Sequence, residues 1–119
     1  MKIGILGGGT MGEIIVRALL REEVFRPTEI VVAELEEARR RLLEPLGVRV
    51  VEDARELVPH CDLLVVGVKP QSAAVALTPL NGALDEETLV ISIMAGIDVD
   101  SLVEYLDHPL VVRSMPNLP

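Results

Sequence analysis

Aromatic residues make up 2% of this 119-residue chain, too few for the stacking platforms on which single-stranded nucleic acid is held. Positive charge is scarce as well. Eleven lysines and arginines stand against 19 aspartates and glutamates, and the net charge of −8 repels nucleic acid and anionic membranes alike. Lys2 and Lys69 are the only lysines, and no function follows from that bias. A single cysteine, Cys61, excludes a disulfide framework. It stands beside an apolar run and reads as a small buried residue rather than a nucleophile. The apolar run at residues 63–68, like every other in the chain, is far below the roughly 20 residues needed to cross a bilayer. The first strand begins almost at Met1, which leaves no room for a signal peptide, so a cytoplasmic protein is expected. Internal repeats, low-complexity segments and flexible linkers are also missing.

What is present is enough for one domain with a core. Half of the residues are apolar and the mean hydropathy is +0.42. Residues 2–6 read as a short apolar strand. Gly7, Gly9 and Gly12 follow as G-x-G-x-x-G, and Met11, Ile14, Ile15, Ala18 and Leu19 then take the spacing of one buried helix face. The glycines therefore lie at a strand-to-helix turn, the context that a dinucleotide fingerprint requires. Gly7 permits the tight turn, Gly9 lets the backbone approach a pyrophosphate, and Gly12 lets the helix pack close to the strand. The helix N-terminus turns free N–H groups and a positive dipole end towards the phosphates.

Strands and helices then alternate. Strands are predicted over residues 29–33, 48–51, 63–68, 89–93 and 110–113. The second helix takes Leu35, Ala38, Leu42 and Leu46 as its buried stripe, with Arg39, Arg40 and Arg41 towards solvent and Gly47 as the terminating glycine. Residues 53–58 suggest a short helix broken at Pro59, and residues 71–77 another. Asp98 caps a helix whose stripe is Val99, Leu102, Val103 and Leu106. Residues 114–119 form an extended tail. The continuously apolar run at 63–68 suits a strand covered on both faces. This pattern predicts a doubly wound α/β fold with a parallel six-stranded sheet in the order 3-2-1-4-5-6, a Rossmann domain over residues 1–119.

In such a sheet ligands lie beyond the carboxyl ends of the strands, and the polar residues sort accordingly. His60, Asp62, Asp85, Glu86, Glu87 and His108 precede strands and are expected as solvated surface at the opposite edge. No His, Cys and carboxylate cluster is left for a metal, and no Ser–His–acid set for nucleophilic catalysis. The carboxyl edge takes the glycine turn, Glu34, Lys69, Pro70, Met94, Ala95, Gly96, Met115 and Asn117. Glu34 ends strand two and can accept hydrogen bonds from the adenosine ribose. Lys69 can approach the cofactor or an anionic substrate, or is an ordinary strand-end lysine. Met11 and Met94 suit the core as well as a cofactor. An anionic Glu34 facing a 2′-phosphate favours NADH over NADPH, unless Arg39 or Arg40 reaches that phosphate.

The carboxyl-edge segments resemble the dinucleotide-binding domain of the pyrroline-5-carboxylate reductase family. They are Ile5-Leu6-Gly7-Gly8-Gly9-Thr10-Met11-Gly12, Val68-Lys69-Pro70-Gln71, Ile91-Ser92-Ile93-Met94-Ala95-Gly96 and Val111-Val112-Arg113-Ser114-Met115-Pro116-Asn117. The Val-Lys-Pro and Met-Pro-Asn segments are the specific ones. The resemblance implies hydride transfer from NADH or NADPH to the C=N bond of pyrroline-5-carboxylate, giving proline. It implies that Leu6, Gly7, Gly8, Gly9, Thr10 and Met11 bind the pyrophosphate. Gly67, Val68, Lys69 and Pro70, with Met94, Ala95 and Gly96, would flank the nicotinamide and its ribose, and Met115 and Asn117 would lie near the substrate. The family's helical C-terminal domain, which supplies dimerisation and most of the substrate pocket, has no counterpart here, so a homo-oligomer is expected only of a full-length protein. Three positions depart from the family pattern: Leu118 replaces a threonine, Ala54 stands where an asparagine is common, and Glu34-Leu35 replaces a Ser or Asn followed by Arg. Two other readings stay open: another small dehydrogenase of hydroxyacid or F420-linked type, and a nonenzymatic dinucleotide-sensing module.

Overall fold

Parallel ladders join six strands in the order β3-β2-β1-β4-β5-β6 in a computed structural model that describes residues 1–114. The strands are β1 (Ile3–Leu6), β2 (Ile30–Ala33), β3 (Arg49–Val51), β4 (Leu63–Val66), β5 (Leu89–Ser92) and β6 (Val111–Arg113). The helices are α1 (Thr10–Arg21), α2 (Glu37–Leu43), α3 (Ala73–Leu77) and α4 (Val99–Leu106). The fold class and strand order are those the alternation predicts. Chain reversal falls between β1 and β4, which pair in register from Ile3 with Leu63 to Leu6 with Val66.

The apolar runs serve two cores because successive side chains of a strand point to opposite faces. Ile3 and Ile5, Ile30 and Val32, and Val65 lie on one face with Val16 of α1 and Leu43 of α2. Leu6, Val31, Ala33, Leu64 and Val66 lie on the other with Leu77 of α3 and with Leu102 and Leu106 of α4. Leu64 and Val66 on one face and Val65 on the other are all buried, as expected of a central strand covered on both sides. Each fully buried leucine contributes roughly 1.5–3 kcal/mol to this packing.

Two helix faces differ from the sequence reading. On α1 the buried residues are Gly12 and Val16, and Ile14 is 40% exposed. The helix is turned so that Gly12 lies against the carbonyl of Gly7, and that contact outweighs the burial of one isoleucine. On α2 the expected stripe is largely at the surface, with Leu35 75% and Leu42 54% exposed, whereas Leu43 is buried. Arg39 and Arg40, expected in solvent, share the inward side with Leu43 because their guanidinium groups reach backbone carbonyls. Buried polar groups need such partners, and arginine supplies five donors.

Smaller differences concern ends. Every strand is shorter than expected by one or two residues, and residues 27–29 before β2 form a 3-10 turn. The segment Ala54–His60 is a 3-10 helix that runs through Pro59, capped by the Asp53 carboxylate, which accepts from the Arg55 N–H. Gly47 does terminate its segment with φ +85°, and Asp98 does cap α4 by accepting from the Ser101 N–H at 2.7 Å. His108 corrects an expectation of solvated surface: it is buried, and its Nε2 bonds to the Thr88 carbonyl. Cys61 is buried as expected, and burial pushes its thiol up to about 11. Residues 115–119, with Met115, Asn117 and Leu118, lie outside the described residues.

Candidate functional site

A row of backbone hydrogen bonds continues the ladders past the strand ends and builds one edge. Glu34 N–H donates to the Val51 carbonyl, Gly7 N–H to Ala33 and Gly67 N–H to Leu6, each at 2.9 Å. Ile93 N–H donates to Val66 at 3.0 Å and Ser114 N–H to Ser92 at 2.8 Å. The glycine turn, Glu34, the residues after β4 and the residues after β5 therefore leave the sheet side by side. That is the grouping the sequence predicts for Gly7, Gly8, Gly9, Thr10, Glu34, Gly67, Val68, Lys69, Pro70, Ala95 and Gly96.

Geometry separates the roles of the glycines. Gly7 has φ +107°, and a Cβ there would stand 3.0 Å from the Gly67 carbonyl group, so the turn passes tightly under the start of the next loop. A Cβ on Gly12 would meet the Gly7 carbonyl oxygen at 2.0 Å, which no real contact allows. At Gly8 a Cβ would come 2.7 Å from Leu43 Cδ1 and 3.0 Å from Glu34 Cβ. Gly9 is different: nothing lies within 4 Å of the Cβ position, and its φ of −73° is open to any residue. The space above Gly9 is thus a cradle that a side chain would fill, not one that the fold fills. No side chain caps α1 at this end, which leaves its first amides directed at that space.

Glu34 is fixed by two backbone donors. Its Oε1 accepts from Gly8 N–H and its Oε2 from Glu36 N–H, both at 2.8 Å. A carboxylate oxygen has a second lone pair, so both oxygens can still accept from hydroxyl groups. Arg39 approaches the same turn from α2. Its Nε donates to the Gly8 carbonyl at 3.0 Å and its guanidinium meets Glu13 Oε1 at 2.8 Å, with both side chains 24% exposed. Glu13 also accepts from Arg17 Nε at 3.0 Å, and hydrogen bonding from Arg17 first, then Arg39, holds its carboxyl below the usual range. Arg40 donates to the carbonyls of Glu34 and Leu35, and Arg41 pairs with Glu37.

Other expected residues divide by exposure. Thr10, Lys69, Pro70, Ala95 and Gly96 are exposed at the edge, and Gly96 has φ +77°. Met11 is half-buried. Met94 is 2% exposed and belongs to the core, so at the edge it offers backbone, and its N–H donates to the buried Ser92 hydroxyl. Sequence reasoning missed the Glu13–Arg39 connection. The two are 26 positions apart, and only the glutamate's place in the first helical turn hinted at a role.

Two open hollows, one around Gly82, Asp107 and Leu110 and the other around Leu20, Phe25 and Leu46, lie at the opposite edge of the sheet. Among the described residues there is no group of three metal-ligating side chains, and no helix is long and apolar enough to cross a membrane.

A fingerprint turn at the chain-reversal point is where folds of this architecture bind dinucleotides. The family described as NADP oxidoreductase coenzyme F420-dependent matches residues 2–96. The chain belongs to that family. Within this oxidoreductase family it is similar to the pyrroline-5-carboxylate reductase of Synechocystis sp., at 37% identity over all of this chain and 45% of that protein. It is 34% identical to the Arabidopsis thaliana pyrroline-5-carboxylate reductase over 99% of this chain and 43% of that one. A solved pyrroline-5-carboxylate reductase from Coxiella burnetii superposes with a TM-score of 0.91 at 30% identity, covering 99% of this chain and 44% of that chain. The resemblance read from the carboxyl-edge segments therefore holds along the whole chain. The chain spans less than half the length of the curated relatives it matches.

Proposed function

We propose that this chain is the cofactor-binding part of an NAD(P)H-dependent pyrroline-5-carboxylate reductase. The observation that carries the reading is the open cradle at Gly9, set between a fixed Glu34 and the loops after β4 and β5. The turn amides hold the pyrophosphate, Glu34 accepts from the adenosine ribose, and Gly67, Val68, Lys69, Pro70, Ala95 and Gly96 border the nicotinamide. When bound, the reduced nicotinamide supplies a hydride to the imine carbon, and the imine nitrogen takes up a proton to give the secondary amine.

The 119-residue chain alone is expected to bind a dinucleotide without turnover. Hydride transfer requires the imine carbon to be held close to the nicotinamide in an aligned geometry, with water excluded. The edge described here is one wall of such a pocket. Oxidation of NADH or NADPH by the purified chain is followed by absorbance with pyrroline-5-carboxylate present. Steady substrate-dependent oxidation would refute the expectation. A protein that spans the full length of the matched relatives is expected to turn over.

NADH is expected to bind more tightly than NADPH. Two unit charges about 4 Å apart repel by roughly 4 kcal/mol at an effective dielectric near 20, and a tenfold preference needs only about 1.4 kcal/mol. Arg39, Arg40 and Arg41 are each engaged by protein acceptors, which supports the same sign. Paired titrations of both cofactors against the wild type and Glu34→Ser test this. Tighter NADPH binding by the wild type would reject it.

A further inference from the structure

Glu34 and Arg39 bracket one residue. The carboxylate accepts from the Gly8 N–H, and the guanidinium donates to the Gly8 carbonyl. A cation therefore stands beside the position where an adenosine ribose would meet Glu34. Left unpaired, it would attract a 2′-phosphate. It is not left unpaired, because Glu13 reaches across from α1 and holds it at 2.8 Å. The contact is only partly exposed, so solvent screens it less than a surface pair. Glu13 is ionised at neutral pH, since its own hydrogen bonds keep its carboxyl below the usual range.

We propose that Glu13 is a positioning residue for cofactor choice: by pairing with Arg39 it withholds that guanidinium from a 2′-phosphate, so two carboxylates, Glu34 directly and Glu13 through Arg39, set the preference for NADH. This rests on the proposed dinucleotide binding. The ribose hydroxyls of NADH are neutral and respond little to whether Arg39 is paired, whereas a 2′-phosphate brings up to two negative charges. Glu13→Gln keeps an acceptor for Arg39 and removes the charge. Arg39→Met removes the cation and keeps an apolar stem.

The readout is the ratio of the NADPH and NADH dissociation constants, from fluorescence titration of the 119-residue chain. In the Glu34→Ser background, adding Glu13→Gln shifts the ratio towards NADPH by on the order of tenfold, the effect of one charge about 10 Å from another at an effective dielectric near 20. Adding Arg39→Met as well abolishes the shift, which also separates Arg39 from Arg17, the second cation freed by the glutamine. In the chain that retains Glu34, Glu13→Gln and Arg39→Met alone move the ratio in opposite directions. An unmoved ratio in Glu13→Gln, or a shift that survives Arg39→Met, overturns the inference while leaving dinucleotide binding in place. Failure of the wild type to bind either dinucleotide overturns the proposed function and the inference together.

Discussion

Gly9→Val is expected to weaken NADH binding at least about a hundredfold, a loss of roughly 2.7 kcal/mol or more, in a chain that stays folded. Most glycine substitutions in a fingerprint turn confound folding with binding. Gly9 avoids this because its φ of −73° suits any residue and its Cβ position has nothing within 4 Å. The valine would cost the protein only the difference between glycine and a β-branched residue at a helix N-cap, up to about 1 kcal/mol. Its methyl groups would occupy the space above the α1 amides that the proposed function gives to the pyrophosphate. Unchanged NADH titration, with a thermal transition close to that of the wild type, would mean that the cradle is not the binding site.

Gly12→Ala is expected to do the reverse and act on the fold. The added methyl would stand 2.0 Å from the Gly7 carbonyl oxygen and 3.1 Å from its carbon, both backbone atoms that cannot rotate away. Two effects oppose each other. Alanine gains about 1 kcal/mol of helix propensity over glycine, whereas forcing a close-packed contact apart costs about 3 kcal/mol or more here. The clash wins, and the thermal midpoint should fall by on the order of 10 °C. The midpoint from circular dichroism checks this. An equal or higher value would show that α1 can move away from β1 freely, and the assigned reason for the helix rotation would fail with it.

The strand order was legible because the runs at residues 30–33 and 63–66 are apolar without alternation and helical segments separate them. The backbone part of the site was legible for a related reason. G-x-G-x-x-G states a geometry, and Gly7 and Gly12 adopt it against each other. Helix faces were less so. Counting apolar residues put Ile14 inward and Arg39 outward, because periodicity weighs side chains one by one. The actual rotations follow from backbone groups, the Gly7 carbonyl at α1 and the carbonyls of Gly8, Glu34 and Leu35 at α2. His108 went wrong in the same way: its position before a strand suggested solvent, but the Thr88 carbonyl gave it a buried partner. The Glu13–Arg39 pair joins two helices that no local pattern connects.

The position of β1 at the middle of the sheet has a consequence for how the chain is made. β1 is synthesised before the other five strands, yet one of its two ladders runs to Leu63–Val66 and cannot form until that segment has emerged. Until then β1, β2 and β3 can associate through local pairings, as an α/β half with one open side. That open side is Ile-Gly-Ile-Leu, apolar and free of charge, the type of edge that pairs with other chains. The long loop closed by the β1–β4 ladder also makes the step slow relative to local pairing. Yield during expression should therefore depend on how fast β4 reaches β1, and the central strand of the finished sheet is an aggregation-exposed edge in the nascent chain.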